Sequence, residues 1–96
     1  MGPIDSEITE LARRQISRAI ASLARIVQVE IQDNGEFLLV RIEKDLLGLE
    51  SETQQILNAA TSILKELIRP RRDDYSWMVN VEHRGALLDS DVGGRS

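Results

Sequence analysis

The sequence predicts an α+β domain in which two helices pack on one face of a three-stranded mixed sheet, in the order αββαβ. Three observations support this prediction: an Asn34-Gly35 pair between two alternating segments, apolar stripes along two helical segments, and a third alternating segment near the C-terminus. A small sheet has to bury one of its faces, and two helices can cover that face in a two-layer sandwich.

The Asn34-Gly35 pair predicts a hairpin between residues 26–32 and 36–43, because both central positions of a type I′ turn need positive φ. A two-residue turn sets Asp33 opposite Glu36. Side chains alternate across a strand, so every second pair behind the turn shares one face. The apolar pairs expected on that face are Ile31 with Leu38, Val29 with Val40, and Val27 with Ile42.

The first helix is expected over residues 6–25, where apolar side chains recur every three or four positions. Asp5 or Ser6 can cap its first turn, since a short polar side chain can accept a hydrogen bond from a free backbone amide there. Glu10 and Arg14 are spaced for an i,i+4 ion pair.

The second helix is expected to begin just after Ser51, at a capping box, and to stop before Pro70. The third strand follows over residues 75–82, where polar and apolar residues alternate. A crossover through the second helix brings this strand back parallel to the second strand. The residues expected on its buried face are Tyr75, Trp77, Val79 and Val81.

Length and composition indicate one domain, because 96 residues with 42% hydrophobic content support a single modest core. Residues 1–5 are expected to be an N-terminal extension, residues 6–88 the domain, and residues 89–96 a disordered tail with little apolar surface. The chain has no Cys, which excludes disulfides and thiolate metal sites. With no secretory signal or membrane span recognised, a cytoplasmic location is expected.

Few residues of the types that carry catalysis are present. His83 is the only histidine, and no nucleophile or orienting partner for it is visible in the sequence. No glycine-rich phosphate loop precedes a helix. We therefore expect a protein that is not an enzyme, with no cofactor, no metal site and no small-molecule substrate.

The basic residues are mostly arginines, and seven of the twelve basic residues fall into two groups, on the first helix and just after the second. A formal net charge of −4 disfavours nucleic-acid binding, which depends on neutralising phosphates. Most such mixed-charge surfaces are simply solvated. The arginines that could contact an anion or RNA are Arg13, Arg14, Arg18, Arg69, Arg71 and Arg72.

Three apolar residues are expected on the sheet face that the helices leave open: Phe37, Leu39 and Met78. An exposed apolar patch of this kind marks an interface, which makes these residues the predicted partner-binding site. The alternative is that leucines from loops fold over the patch. Those leucines are Leu46, Leu47, Leu49, Leu87 and Leu88.

The function expected from these features is a small acidic protein-interaction or assembly module, adaptor-like or chaperone-like. It would bind a protein partner, or itself as a homodimer, through the open sheet face or a strand edge. In size, acidity and α/β layers the chain looks like bacterial secretion chaperones, which dimerise and hold a partner chain.

The αββαβ order also resembles the type II KH arrangement of small ribosome-assembly factors, without the Gly-x-x-Gly clamp of that family. This resemblance implies the alternative function, an RNA- or ribosome-associated factor that uses the arginine-rich helix face. Salt dependence separates the two functions, since phosphate contacts weaken steeply with salt.

Overall fold

The structure is a computed structural model, and it describes residues 4–23, 26–45 and 50–94. The described residues form two helices and four strands in the order αββαββ. The elements are α1 (Ser6–Ile20), β1 (Ile26–Asp33), β2 (Phe37–Lys44), α2 (Glu50–Ile68), β3 (Ser76–His83) and β4 (Ala86–Gly94). The strands form one mixed sheet in the order β1-β2-β3-β4, in which β2 and β3 are parallel and the two outer pairs are antiparallel.

The core lies between the two helices and one face of this sheet. Alternate residues of β2 and β3 are buried, as the period of a half-buried strand requires. Both helices contribute their apolar stripes to the same cluster, which confirms the α+β class. The fully buried strand residues are Leu38, Val40, Ile42, Trp77, Val79 and Val81, and those of α1 are Ala12, Ile16 and Ile20.

The predicted strand count is wrong, because the sheet has four strands rather than three. Residues 86–94 form β4, so most of the segment expected to be a disordered tail lies in a strand. β4 pairs with β3 from Ala86 to Gly94, with a register shift that leaves Leu88 unpaired. Its order therefore comes from main-chain hydrogen bonds to a neighbouring strand, which the low apolar content of the segment does not reveal.

The β3–β4 connection is the two-residue turn Arg84-Gly85, which closes His83 against Ala86. Both turn residues have positive φ, 50° at Arg84 and 82° at Gly85. A positive φ at both positions is the requirement of a type I′ turn.

The β1–β2 hairpin has a different register from the predicted one. Asp33 pairs with Leu38 and Ile31 with Val40, so each residue from 28 to 33 lies opposite a partner two positions further along β2 than predicted, whereas Ile26 lies opposite Lys44 beyond a register irregularity. A shift of two residues keeps every side chain on its predicted face, because strands repeat every two residues. The inner face is therefore as expected although the pairs are wrong.

Asp33 explains the altered turn. Its Oδ1 accepts a hydrogen bond from the amide of Gly35 at 2.8 Å. The amide of Asn34 donates to the carbonyl of Phe37 at 3.0 Å, so the two turn residues are Gly35 and Glu36. Only Gly35 has positive φ, at 86°, as a type II′ turn requires. The predicted type I′ turn at Asn34-Gly35 is therefore wrong.

Helix α1 ends at Ile20, several residues before the predicted end. Its cap is Asp5, whose side chain accepts from the Glu7 amide at 3.0 Å. Helix α2 begins at Glu50, so Ser51 lies inside its first turn, and it ends at Ile68 just ahead of Pro70.

The glycines that end β4 make room for Trp77, whose side chain is only 1% exposed. A Cβ added to Gly93 would lie 2.7 Å from Trp77 Nε1. A Cβ added to Gly94 would lie 2.7 Å from both Ser76 Cα and the Tyr75 carbonyl oxygen, and φ there is +97°. These close approaches let β4 lie directly against the indole.

We expect Gly93→Ala to lower the free energy of unfolding by about 1–3 kcal/mol, since the added methyl overpacks the contact with Trp77. Denaturant unfolding measures the loss, and the emission of the only tryptophan reports whether the indole has moved. Ser90→Ala is the matched control, because Ser90 is an exposed residue of the same strand. Unchanged stability and emission in Gly93→Ala would contradict the confinement of the indole by β4.

Candidate functional site

An apolar row crosses three strands on the outer face of the sheet. Leu39 of β2 lies opposite Met78 of β3, and Met78 lies opposite Val92 of β4. Met78 is 36% exposed and Val92 is 65% exposed. Cross-strand neighbours of this kind contact one another, so the three side chains form one surface that reaches the edge of the sheet.

Phe37 extends this row by one position along β2. It pairs with Ser76, two residues before Met78, so both residues lie on the same face. Phe37 and Leu39 are half-buried. The structure thus brings together the three predicted partner-binding residues, and we call Phe37, Leu39, Met78 and Val92 the outer patch.

A polar row borders the outer patch on one side. Arg41 of β2 donates two hydrogen bonds to the Glu82 carboxylate of β3, at 3.1 and 3.2 Å. These bonds, together with the charges of Glu82, Glu30 and Glu43, raise the pKa of Arg41. The border is therefore charged but locally paired, which leaves the outer patch as the apolar part of this face.

The C-terminal leucines do not cover the outer patch. Leu87 lies opposite Glu82, away from Met78, and it is 58% exposed. Leu88 is 36% exposed. The other leucines proposed as a cover lie outside the described residues: Leu46, Leu47 and Leu49.

Val92 is the member of the outer patch that sequence reasoning missed. It lies in the segment expected to be a tail, where one apolar residue among Asp, Ser and Gly gives no alternating pattern. The turn residues Arg84-Gly85 are a signal for a fourth strand, but the turn alone would set Val92 opposite Trp77 on the inner face. A register shift between Val81 and Glu82, which leaves Leu88 unpaired, is what sets Val92 opposite Met78.

The arginines predicted on α1 line the opposite side of the domain from the outer patch. Arg13 forms an ion pair with Glu10, and the charge of Arg14, the predicted partner, also helps to lower the pKa of Glu10. Arg13 and Arg14 border a groove of ≈ 700 Å³ between α1 and Ile31 of β1. Arg18 is exposed further along the helix.

The arginines after α2 form a separate group, and two of them bind within the chain. Arg71 donates to the Leu67 carbonyl at 2.9 Å, at the end of the helix. Arg72 donates two hydrogen bonds to Asp74, each at 3.0 Å, and these lower the pKa of Asp74. Arg69 is exposed. Among the described contacts, none joins this group to the arginines of α1.

His83 and its surroundings have a structural explanation. Its Nδ1 lies 3.1 Å from the Lys44 carbonyl oxygen, which orients the ring at the ends of the parallel strands β2 and β3. Lys44 is buried and forms an ion pair with Glu52 of α2, with Nζ 2.9 Å from Oε2. Within the part of the chain that the structure describes, no three His, Cys, Asp or Glu side chains group to hold a metal ion.

Asp33 joins three segments at the opposite end of the sheet. Its carboxylate accepts from the Tyr75 hydroxyl at 2.7 Å, from the Gly35 amide at 2.8 Å and from the Ile4 amide at 2.7 Å. The Arg72 guanidinium lies 4.6 Å from the centre of the Tyr75 ring. This network ties the start of the described chain, the hairpin turn and the start of β3 together.

The same network predicts an alkaline loss of stability. Burial, followed by the hydrogen bond and charge of Asp33, raises the pKa of Tyr75 from 10.0 to about 12. The folded chain therefore holds this proton more tightly than the unfolded chain. The raised pKa of Tyr75 therefore adds to the free energy of unfolding. This contribution is present in full below pH 10 and is lost as the pH rises towards 12.

Absorbance of the phenolate measures this pKa directly, because Tyr75 is the only tyrosine. Unfolding by urea at stepped pH should show the loss of stability over the same range. In Tyr75→Phe that part of the pH dependence should disappear. Titration of the phenol near its ordinary value in the folded chain would contradict the prediction.

Comparison with protein families, with curated proteins and with solved structures gives no match for this chain. The functional argument therefore rests on the geometry. Among the described residues, no helix has the length and apolar character needed to cross a membrane.

Proposed function

We propose that this chain is a small acidic protein-interaction or assembly module, an adaptor or a chaperone-like binder that performs no catalysis. It binds a protein partner or a second copy through the outer sheet face. The observation that carries the proposal is the cross-strand row of Leu39, Met78 and Val92, with Phe37 beside it. Contiguous exposed apolar surface of this kind marks interaction sites.

The members of the outer patch differ in what they can contribute. Burying a large apolar side chain contributes about 1.5–3 kcal/mol relative to leaving it exposed. Met78 and Val92 are the most exposed members and have the most area to bury. Phe37 and Leu39 are already half-buried, so they have less area to bury and would contribute mainly to the shape of the contact surface. The paired Arg41–Glu82 border supplies a polar rim, as interfaces commonly have.

The alternative function, an RNA- or ribosome-associated factor, would use the arginine groups. It has weaker support, because Arg13 and Arg72 already pair with carboxylates and Arg71 binds a helix carbonyl. The formal net charge of −4 also opposes phosphate binding.

Affinity capture with the full chain at low and high salt, with and without nuclease, tests the proposal. We expect a captured protein that survives high salt and nuclease, and that is lost with Leu39→Ser/Met78→Ser. Arg14→Ser/Arg18→Ser is the control for the alternative, and it should leave this capture unchanged. Capture that resists the Leu39→Ser/Met78→Ser change, or that disappears with salt, nuclease or the arginine changes, would overturn the proposal.

A further inference from the structure

Strand β4 forms one edge of the sheet. It pairs with β3 on one side, and no described strand pairs with its other side. A free edge presents main-chain donors and acceptors that another extended chain can use. Both edge strands carry a register irregularity, between Ile26 and Gln28 on β1 and opposite Val81 and Glu82 on β4, but residues 89–94 of β4 pair with β3 without a break.

Two main-chain amides of β4 donate hydrogen bonds to aspartate carboxylates of the same strand. The Ser90 amide donates to Asp89 Oδ1 at 2.8 Å, and the Val92 amide donates to Asp91 Oδ1 at 3.0 Å. Residues two apart in a strand direct their amides to the same side. Because both amides donate to aspartate side chains of their own strand, we place them on the free edge, where the aspartates satisfy them.

The same two carboxylates also accept hydrogen bonds from side chains of helix α2. Asp89 Oδ2 accepts from Gln54 at 2.5 Å, and Asp91 Oδ2 accepts from Thr61 at 3.3 Å, both residues of α2. The outer side of β4 carries no charge and presents the exposed side chains of Val92 and Leu87, with Ser90 between them. A strand added to this edge would therefore meet negative charge on its helix side and apolar side chains on its open side.

A second copy of the chain suits this edge poorly. If β4 paired antiparallel with its copy about residue 89, 90 or 91, aspartates would face aspartates across the new ladder. Like charges directly opposite one another destabilise a strand pair. Each copy also carries a formal net charge of −4. The chemistry of this edge thus selects a partner of the opposite charge.

We infer that the free edge of β4 binds an extended protein segment with Lys or Arg at alternate positions and apolar residues between them. The basic side chains would draw the Asp89 and Asp91 carboxylates into ion pairs and release the Ser90 and Val92 amides for the new ladder. The apolar side chains would lie beside Val92 and continue the outer patch. The inference rests on the proposed function, for which it names the class of partner.

Three synthetic peptides test this inference against the full chain. The first alternates Lys and Val, the second has Glu in place of each Lys, and the third is the Lys peptide with every backbone amide N-methylated. Binding is measured by calorimetry, and Trp77 emission reports events at β4, since its indole lies against Gly93. We expect the Lys peptide to bind at least about tenfold more tightly than either of the others.

Two double variants complete the experiment. Asp89→Asn/Asp91→Asn should remove the preference for Lys over Glu, with circular dichroism confirming that the sheet is retained. Equal binding of the N-methylated peptide would overturn strand addition, and equal binding of the Glu peptide would overturn the charge selection. Leu39→Ser/Met78→Ser separates the two proposals. If it abolishes salt-resistant capture while no peptide binds, the edge inference fails and the proposed function stands. If the Lys peptide binds with the expected selectivity while this variant leaves capture unchanged, the outer patch is ruled out as the binding surface and the edge inference stands.

Discussion

Replacing Asp33 by Ala should lower the free energy of unfolding by about 3–5 kcal/mol, because several hydrogen bonds to a charged group are lost together. The Tyr75 hydroxyl would remain buried without its acceptor, and the Gly35 and Ile4 amides would lose theirs. Denaturant unfolding monitored by circular dichroism measures the loss.

Two further variants define the contribution of Asp33. Asp33→Asn keeps one acceptor oxygen and should lose less than Asp33→Ala. Asn34→Ala is the matched control, since Asn34 is exposed and its hydrogen bond to Phe37 uses the main chain. Equal stability of Asp33→Ala and Asn34→Ala would refute the role given to the carboxylate.

Removing the Glu52 side chain should lower the free energy of unfolding by a similar amount, for a different reason. The Lys44 side chain is 1% exposed, and its Nζ lies 2.9 Å from Glu52 Oε2. Glu52→Ala leaves this ammonium buried without its partner, which typically destabilises a protein by about 3–5 kcal/mol. Thermal and denaturant unfolding of the variant measure the effect.

Lys44→Met provides the informative comparison. It removes the buried charge and fills a similar volume, so we expect stability equal to or above that of the wild type. Adding Lys44→Met to Glu52→Ala should restore most of the lost stability. If the double variant is no more stable than Glu52→Ala alone, the loss does not come from an unpaired lysine.

The parts of the fold that could be predicted from sequence are those fixed by burial. In β2 and β3 the alternation of apolar residues determines which face is buried, and Leu38, Val40 and Trp77 lie where it places them. The same alternation put Phe37, Leu39 and Met78 on the outer face. Burial patterns predict faces well because a misplaced side chain would lose contact with the core.

The hairpin register could not be predicted from that pattern. A shift of two residues leaves every side chain on the same face, so the hydrophobic pattern cannot distinguish the two registers. The deciding contact is the hydrogen bond from Gly35 to the Asp33 side chain, which moves the turn to Gly35-Glu36. Asn34-Gly35 alone favoured another turn type.

Strand β4 was missed because nothing in its own composition indicates a strand. Asp89 and Asp91 occupy its inner face, where an apolar residue would be expected, and they bind Gln54 and Thr61 of α2. Gly93 is required by the indole of Trp77, a contact distant in sequence. The site was consequently predicted without Val92.

We propose that the outer face of β2 binds a partner while its inner face holds the fold together. Denaturant unfolding of Phe37→Ser/Leu39→Ser beside Leu38→Ser/Val40→Ser tests this claim most directly, because the two pairs alternate on one strand. We predict that the outer pair keeps the cooperative transition with a small loss of stability, whereas the inner pair, fully buried in the wild type, unfolds the chain. A loss in the outer variant as large as in the inner one would place Phe37 and Leu39 in an internal core and contradict the claim.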